Sequence, residues 1–510
     1  MNTTLASLVE LLSEQNLLAA SSNLTDEALA TPVTGADCDS RVAAAGHVFV
    51  CKGQAFKPAY LQSALQKGAV AYLCDEDRAP ELAAVAPGVP ALVATDLRLA
   101  MALVSAEAFG HPDRDLTVIG ITGTKGKSTV SYMLRAILDA DAAYSHAAVI
   151  GSIETYDGVE NEESHNTTPE APDLWRHLAN ARSAGLEFVD MEVSSQALKY
   201  DRVVGLGLDV ACFLNIGRDH ISPTEHPDFA DYFESKLRIF DQARVAVVNL
   251  DSDRANTILA RAKRCERVVT FSATNPEADV WADHIDPGYG YVTFYAHTPS
   301  WSGKVALAMP GTFNVDNALA AIAICEVLGV GRRQVCDALL YVRVPGRMEL
   351  LYSPDRRAVA LVDYAHNKLS FQRLFPSVRQ EFPGWRIIAV FGAPGDKAYE
   401  RRQDLPQEAA KWADHVIYTE DDPAHERVED ICQQLVDATP AGTSYEVIPD
   451  REKAIHRAVE LAYAGEGSAI LCLLAKGDDA YQHEGDRFVP YRTDGGVFQE
   501  AVRDFAKPVE

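Results

Sequence analysis

Apolar runs of strand length recur along this chain, separated by stretches with helical spacing. Residues 47–51 (HVFVC) and 69–74 (AVAYLC) predict strands, with a helix over 61–66 between them. The proline-marked polar stretch 111–115 predicts a linker, and 116–122 (LTVIGIT) then starts a buried strand. Further apolar runs at 188–193, 210–214 and 245–250 alternate with helical patterns, as do those at 359–364, 387–391, 416–419 and 470–474. That alternation predicts mainly parallel sheets with helices on both faces. Residues 268–272, 291–296 and 304–309 are closely spaced, with turn residues and no helix between them, which predicts an antiparallel extension of the central unit. A helix is predicted at about 315–328. The breaks at 111–115 and 343–347 (RVPGR) divide the chain into residues 1–112, 113–343 and 344–510.

A length of 510 residues accommodates about three domains. With 47% hydrophobic and 24% charged residues, the chain is not disordered, collagenous or of low complexity. Its net charge of -26 argues against broad nucleic-acid binding and leaves room for a local basic pocket that takes a phosphorylated metabolite. No apolar run has the length of a membrane span. The start, MNTTLASLVELLSEQN, carries acids and no basic leader, so a cytoplasmic protein is expected. Nine cysteines are scattered without a C-x-x-C pair and read as packing thiols in a reducing compartment.

The most informative segment is 120–129 (GITGTKGKST), which follows a strand and opens the helical pattern VSYMLRAIL. Glycines there let backbone N–H groups turn towards phosphates, and the helix N-terminus adds positive potential. Gly123, Thr124, Lys125, Gly126, Lys127, Ser128 and Thr129 form a candidate ATP loop, with Lys127 for the outer phosphates and the Ser128 hydroxyl for Mg²⁺. Ile121 occupies the first glycine position of the strict G-x-x-x-x-G-K-[ST] pattern.

The variant T-G-T-x-G-K-[ST] resembles the loop of the ATP-dependent Mur ligases of peptidoglycan synthesis. Further segments follow in that family's order: Asn166-Thr167-Thr168-Pro169, Met191-Glu192-Val193-Ser194-Ser195, 215–220 (NIGRDH), Lys236, 311–317 (GTFNVDN), Pro345-Gly346-Arg347-Met348-Glu349, Asp363-Tyr364-Ala365-His366 and Lys476-Gly477. N-T-T-P together with E-V-S-S looks most like the member that completes the muramyl tripeptide. The resemblance implies an α/β protein of three domains: one for a UDP-substrate, a central P-loop-type ATPase with a parallel sheet, and a C-terminal Rossmann-like domain that brings an amino acid. It implies phosphorylation of the D-glutamate carboxylate of UDP-MurNAc-L-Ala-D-Glu by ATP with Mg²⁺, followed by attack of an amine on the acyl phosphate.

Carried over position by position, the resemblance makes Lys127 a catalytic cation and gives a second Mg²⁺ to Glu192, His220 and a carbamylated Lys236. It puts Asn314 and Asn317 on the adenine side, and Arg347 and Asp363 at phosphate and ribose. Ser40, Thr167, Thr168, Ser194 and Arg202 become contacts of the UDP-sugar peptide. By residue type alone, Glu192 reads as a strand-end helix cap, His220 as a hydrogen-bonded loop histidine, Lys236 as a solvated helix lysine and Asn314 as an N-cap. Ser194 and Ser195 show no nearby sign of a hydrolase triad.

The amino-acid selector of the family is a short motif, D-N-P-R in members that add meso-diaminopimelate. Here it reads Asp421-Asp422-Pro423-Ala424, and a distal carboxylate would find no arginine. The surrounding acids, Asp479 among them, favour an ammonium tip, and D-D-P-A, like H-I-S-P at 220–223, resembles the branch that adds L-lysine. The same acids could instead be a solvated loop. Lys397 stands where the family has an arginine for the α-carboxylate, with Arg401 or Arg402 as alternatives, and Gln196 replaces a histidine after E-V-S-S. The rival readings are the same ligase with diaminopimelate or ornithine, a folate-polyglutamate-type ligase, and a nucleotide-gated scaffold without activity.

Overall fold

The computed structural model describes residues 3–140, 145–164, 166–222 and 225–505; Pro223 of the H-I-S-P segment lies outside them. Three α/β sheets follow one another along the chain. The first orders Leu18–Ser22, Ala91–Ala94, Ala71–Asp75, His47–Val50 and Gly35–Asp37, with only Leu18–Ser22 antiparallel. The second has eleven strands around Leu208–Phe213, Thr117–Thr122 and Phe188–Glu192. The third orders Glu349–Tyr352, Ala358–Asp363, Ala469–Leu474, Arg386–Phe391, His415–Tyr418 and Tyr445–Val447, with only Glu349–Tyr352 antiparallel.

Side chains alternate across the central strands, so each strand feeds two cores. Ile119, Ile121, Val210 and Cys212 face one side, under the helices Lys127–Leu138 and Asn314–Leu328. Val118, Ala211 and Phe213 face the other, under Ala171–Ser183 and Phe229–Leu237. The helix Asn314–Leu328 is apolar nearly all round and is sandwiched rather than half exposed. The first core runs on into the third sheet through Leu361, Phe371 and Ile387, and the second into the first sheet through Val48, Leu73 and Leu92. The three units are therefore packed on continuous apolar surfaces.

The structure corrects one expectation and adds strands that the pattern does not show. Arg267–Ser272 pairs parallel to Ala243–Asn249, because the helix Ala255–Ala262 carries the chain back across the sheet. Val280–Gly288 is also parallel to Arg267–Ser272, so the antiparallel extension consists only of Tyr291–His297 and Ser302–Leu307 beyond it. At the opposite edge, Glu154–Tyr156 and Asn161–Glu163 form a hairpin whose three-residue strands are too short to leave a period. The stretch 111–115 is ordered: Pro112–Asp115 is a 3₁₀ turn, and Asp113 is buried and accepts the Gly207 N–H at 3.0 Å. Among the described residues no helix is long and apolar enough to cross a membrane.

One buried ion pair organises the C-terminal unit. Arg451 donates from Nε and Nη2 to Asp494 at 2.7 and 2.6 Å, and both side chains are fully buried. The same guanidinium donates to the Leu474 carbonyl at 2.8 Å and the Glu420 carbonyl at 3.2 Å, tying two strand-end loops to the last helix. Asp494→Ala strands that charge, and we expect a loss of about 3–5 kcal/mol in urea unfolding. Unchanged stability would refute the role.

Candidate active site

The loop between Thr117–Thr122 and Lys127–Leu138 is built as its sequence predicts. Gly126 precedes the helix at φ +91, and an added Cβ would collide with Asn317 Oδ1, so glycine is required twice over. Asn215 clamps the loop: its side chain accepts the Lys125 N–H and donates to the Lys125 carbonyl, each at 2.9 Å. Thr124 Oγ1 meets Tyr232 OH at 3.0 Å and accepts the Gly217 N–H. Ser128 and Thr129 lie on the first helical turn.

Two amines converge on one oxygen. Lys127 Nζ and Lys236 Nζ donate to the Gly123 carbonyl at 3.1 and 3.0 Å. Lys236 is not a solvated helix lysine: it is 2% exposed. Burial and the neighbouring Lys127 hold its amine well below the usual range, against the pull of Asp219. Lys125 turns the other way, to Asp219 Oδ2 at 3.3 Å and His366 Nε2 at 3.3 Å, while Asn367 donates to the same Asp219 oxygen at 3.0 Å. The loop is thus bridged to the C-terminal unit. Against the cost of burial, Lys125 above all keeps the Asp219 carboxyl far below its usual range.

Glu192 ends its strand 2% exposed. Its oxygens accept from Ser152 N at 2.8 Å and Ser152 Oγ at 3.1 Å, and that hydroxyl also reaches Thr167 at 3.0 Å. Glu192 is not a helix cap: Ser194 caps the helix Ser195–Lys199, with Oγ accepting the Ala197 N–H. Thr168 is buried and laces this corner together, donating to the Glu192 carbonyl at 2.8 Å and accepting the Ser194 N–H at 3.0 Å. Arg202 donates to the Thr168 carbonyl and pairs with Glu170, whose other oxygen holds Lys52 of the N-terminal unit at 2.6 Å. Ser40 lies in the N-terminal unit, its carbonyl accepting Lys67 Nζ.

His220 stands half exposed with φ +55 and Nδ1 2.9 Å from Glu225, which Gln196 also reaches at 3.1 Å. No hydrogen bond or ion pair joins it to Glu192 or Lys236 among the described residues. One arrangement has no sequence signal. Ser195 Oγ lies 2.9 Å from His226 Nε2, and His226 Nδ1 lies 2.6 Å from Asp231. This order copies a hydrolase triad, yet Ser195 and His226 are buried and Lys199 holds Asp231 at 2.6 Å. It fastens the turn after His220 to the E-V-S-S corner. A second cluster, Asp157, Glu160 and His177, is also internally satisfied: Asp157 accepts from two backbone N–H groups, His177 and Asn180, and Glu160 pairs with Arg176.

Asn314 is not an N-cap; that place belongs to Phe313. Its amide donates to the Pro310 carbonyl at 2.6 Å, and Asn317 donates to Asn314 Oδ1 at 2.8 Å. Arg347 lies over the Tyr364 ring, 4.5 Å from its centre. Asp363 accepts the Met348 and Ala365 N–H groups at 2.8 and 2.7 Å, and burial raises its carboxyl against Arg347.

Beside the phosphate loop, Tyr364, His366, Pro394, Lys397, Arg401, Asp421, Asp422, Ala475 and Asp479 line a cavity of about 30 Å³. Four of the five sequence-predicted amino-acid residues line it. Ala424 does not: its backbone bridges to the hairpin of Tyr481–Glu484 and Arg487–Pro490, accepting from Gly485 and donating to His483. Arg402 is buried and bound to Glu426, Gln434 and the Pro394 carbonyl, leaving Arg401 as the arginine that faces the cavity. Lys476 holds Asp422 at 2.8 Å. Burial pushes the Asp479 carboxyl up to about 6, with Asp422 and Asp421 adding to the rise against Lys476, and burial then Asp422 raise Asp421. The cavity therefore joins crowded acids to the cations of Lys397 and Arg401.

The Mur ligase middle domain model matches residues 121–325, and the Mur ligase glutamate ligase domain matches 346–476. A UDP-N-acetylmuramyl-tripeptide synthetase of Bifidobacterium longum is 36% identical over 98% of this chain and 99% of its own. The UDP-N-acetylmuramoyl-L-alanyl-D-glutamate–L-lysine ligase of Enterococcus faecalis is 34% identical over 91% of this chain and 90% of its own. The fold is also shared with MurF of Acinetobacter baumannii (TM-score 0.68, 20% identity, 99% of each chain). A 2,6-diaminopimelate ligase structure is similar too (TM-score 0.66, 24% identity, 99% of each chain). With its ordered motifs and full-length similarity, this chain belongs to the Mur ligase family, among the UDP-N-acetylmuramyl-tripeptide synthetases.

Proposed function

We propose that this chain joins L-lysine to the D-glutamate of UDP-MurNAc-L-Ala-D-Glu in the cytoplasm, using ATP and Mg²⁺, as a step of peptidoglycan precursor synthesis. The observation that carries the amino acid is the cavity, which is lined both by the acids Asp421, Asp422 and Asp479 and by the cations Lys397 and Arg401. An ε-ammonium relieves the crowded acids, and an α-carboxylate pairs with the cations; a distal carboxylate would face three acids. The similarity to the lysine ligase of E. faecalis supports the same reading. Residues 1–112 would take the UDP-substrate, 113–343 ATP, and 344–510 the amino acid.

In this reading Lys127 leaves the Gly123 carbonyl for the outer phosphate, with Gly123–Thr129 N–H groups around it. Asn314 and Asn317 would border the adenine, and Arg347 and Asp363 would close the nucleotide from the C-terminal side. Ser40, Thr167, Thr168, Ser194 and Arg202 would meet the UDP-sugar peptide. Thr168 and Ser194 would do so mainly by shaping the corner, since both hydroxyls are already engaged. Glu192 is a buried carboxylate without a paired cation among the described residues, and with Ser128 it supplies the oxygen donors that suit Mg²⁺. Ser128, Glu192, His220 and a carbamylated Lys236 would hold the ion, which when bound neutralises charge on the transferring phosphoryl group. A neutral buried amine is the form of Lys236 that adds CO₂, and the resulting anion would lie beside Lys127.

ADP release with UDP-MurNAc-L-Ala-D-Glu, Mg²⁺ and each amino acid in turn tests the reading. Release is expected with L-lysine and little with meso-diaminopimelate or ornithine. Release only with diaminopimelate would discard the lysine reading and keep the ligase. No release with any amine would favour the scaffold. Lys236→Ala should lower kcat about 100-fold or more, with partial rescue by short carboxylates; normal turnover would sink the carbamate. Because the acids of the cavity bind an ammonium only when ionised, KM for lysine should rise as pH falls through about 6. A KM flat across that range would count against Asp479 as a lysine contact.

A further inference from the structure

One side chain stands where the phosphate loop meets the amino-acid cavity, and beyond its contact with Lys125 the roles above give it no chemistry. His366 lines the cavity and turns Nε2 towards Lys125 Nζ, 3.3 Å away. Its Nδ1 lies 2.7 Å from the Tyr364 carbonyl. A carbonyl only accepts, so Nδ1 carries the proton and Nε2 offers its lone pair at the junction of the two substrate regions.

The charged groups around the ring come from separate elements. Lys125 belongs to the phosphate loop, Asp219 to the segment after Leu208–Phe213, and Arg401 to the helix Arg401–Ala409. Lys397, Asp421, Asp422 and Asp479 share the cavity. Burial, then Lys125 and Arg401, hold the imidazole well below its usual range against Asp219, so the ring is neutral at rest.

We infer that His366 Nε2 takes the proton from the α-ammonium of the incoming amino acid, an inference that rests on the ligase reading. An ammonium has no lone pair for attack. One N–H proton moves to Nε2, giving an imidazolium, and the freed pair forms the C–N bond to the acyl carbon. The C–O bond to phosphate then breaks with its electrons on the phosphate, which carries away the second amine proton. The two cations that suppress the ring are those the substrates engage: Lys125 by phosphate oxygens, Arg401 by the α-carboxylate. The imidazole therefore gains basicity only when both substrates are in place, which protects an acyl phosphate from premature chemistry.

The test compares full-length wild type with His366→Gln, each given UDP-MurNAc-L-Ala-D-Glu, ATP and Mg²⁺. The amine is either L-lysine or hydroxylamine, which is already unprotonated at neutral pH and traps acyl phosphates without a base. With lysine, His366→Gln should lose about 100-fold or more in amide formation at neutral pH. Its remaining rate should climb roughly tenfold per pH unit, following free amine. Hydroxamate formation should stay within about threefold of wild type, and this also shows that the variant is folded. Wild-type amide formation by His366→Gln overturns the inference. Parallel loss of amide and hydroxamate also overturns it, assigning His366 to the contact between units. A wild type that forms neither product overturns the ligase reading itself, and the base with it.

Discussion

The contact of Asp219 with Lys125 and Asn367 is the point on which the site depends. Parallel sheets open their functional groups at the carboxyl ends of their strands. Two of the three α/β sheets end at this site, one in the phosphate loop and Glu192, the other in Asp363, the Pro394–Lys397 loop and Asp421. Chemistry between their ligands requires those ends to face one another. The apolar core shared by the two units sets the approach, and Lys125, Asp219, His366 and Asn367 span the remaining gap with charge and hydrogen bonds.

Around this contact the charge is sorted. Amines crowd at the phosphate loop, and burial with mutual repulsion drives Lys236 towards its neutral form. Acids crowd in the cavity, and the same two causes push Asp421 and Asp479 towards theirs. Each half carries an excess of one sign that its internal pairs, Lys125–Asp219 and Lys476–Asp422, offset only in part, and a ligand of the proposed class would offset the rest: phosphate on one side, ammonium on the other. Behind the acids, the buried Arg451–Asp494 pair fixes the carbonyls of Glu420 and Leu474, so the crowded loops cannot spread apart.

Much of this was legible locally. The strand at Thr117–Thr122, the glycine that begins the next helix and the acid at the end of Phe188–Glu192 each follow from neighbouring residues, because backbone conformation and two-sided burial leave marks within a few positions. Pairing direction was less visible. Close spacing to the following strands marks Arg267–Ser272 as the start of an antiparallel extension, whereas the preceding helix Ala255–Ala262 decides its direction. Ala424 stands where the resemblance puts the selector, but its backbone is fastened to a hairpin some sixty residues later, and Asp421 and Asp422 line the cavity instead.

Residue type and short spacing suffice for the α/β class, the phosphate loop, the order of the family's motifs and the acids that favour an ammonium. Long-range packing is what buries Lys236 beside Lys127, turns Arg401 rather than Arg402 to the cavity, links the buried Ser195 and His226 to Asp231, and brings the unprotonated nitrogen of His366 to Lys125. Burial, tautomer and charge neighbourhood are set by segments distant in the chain, and no local pattern encodes which of them will meet.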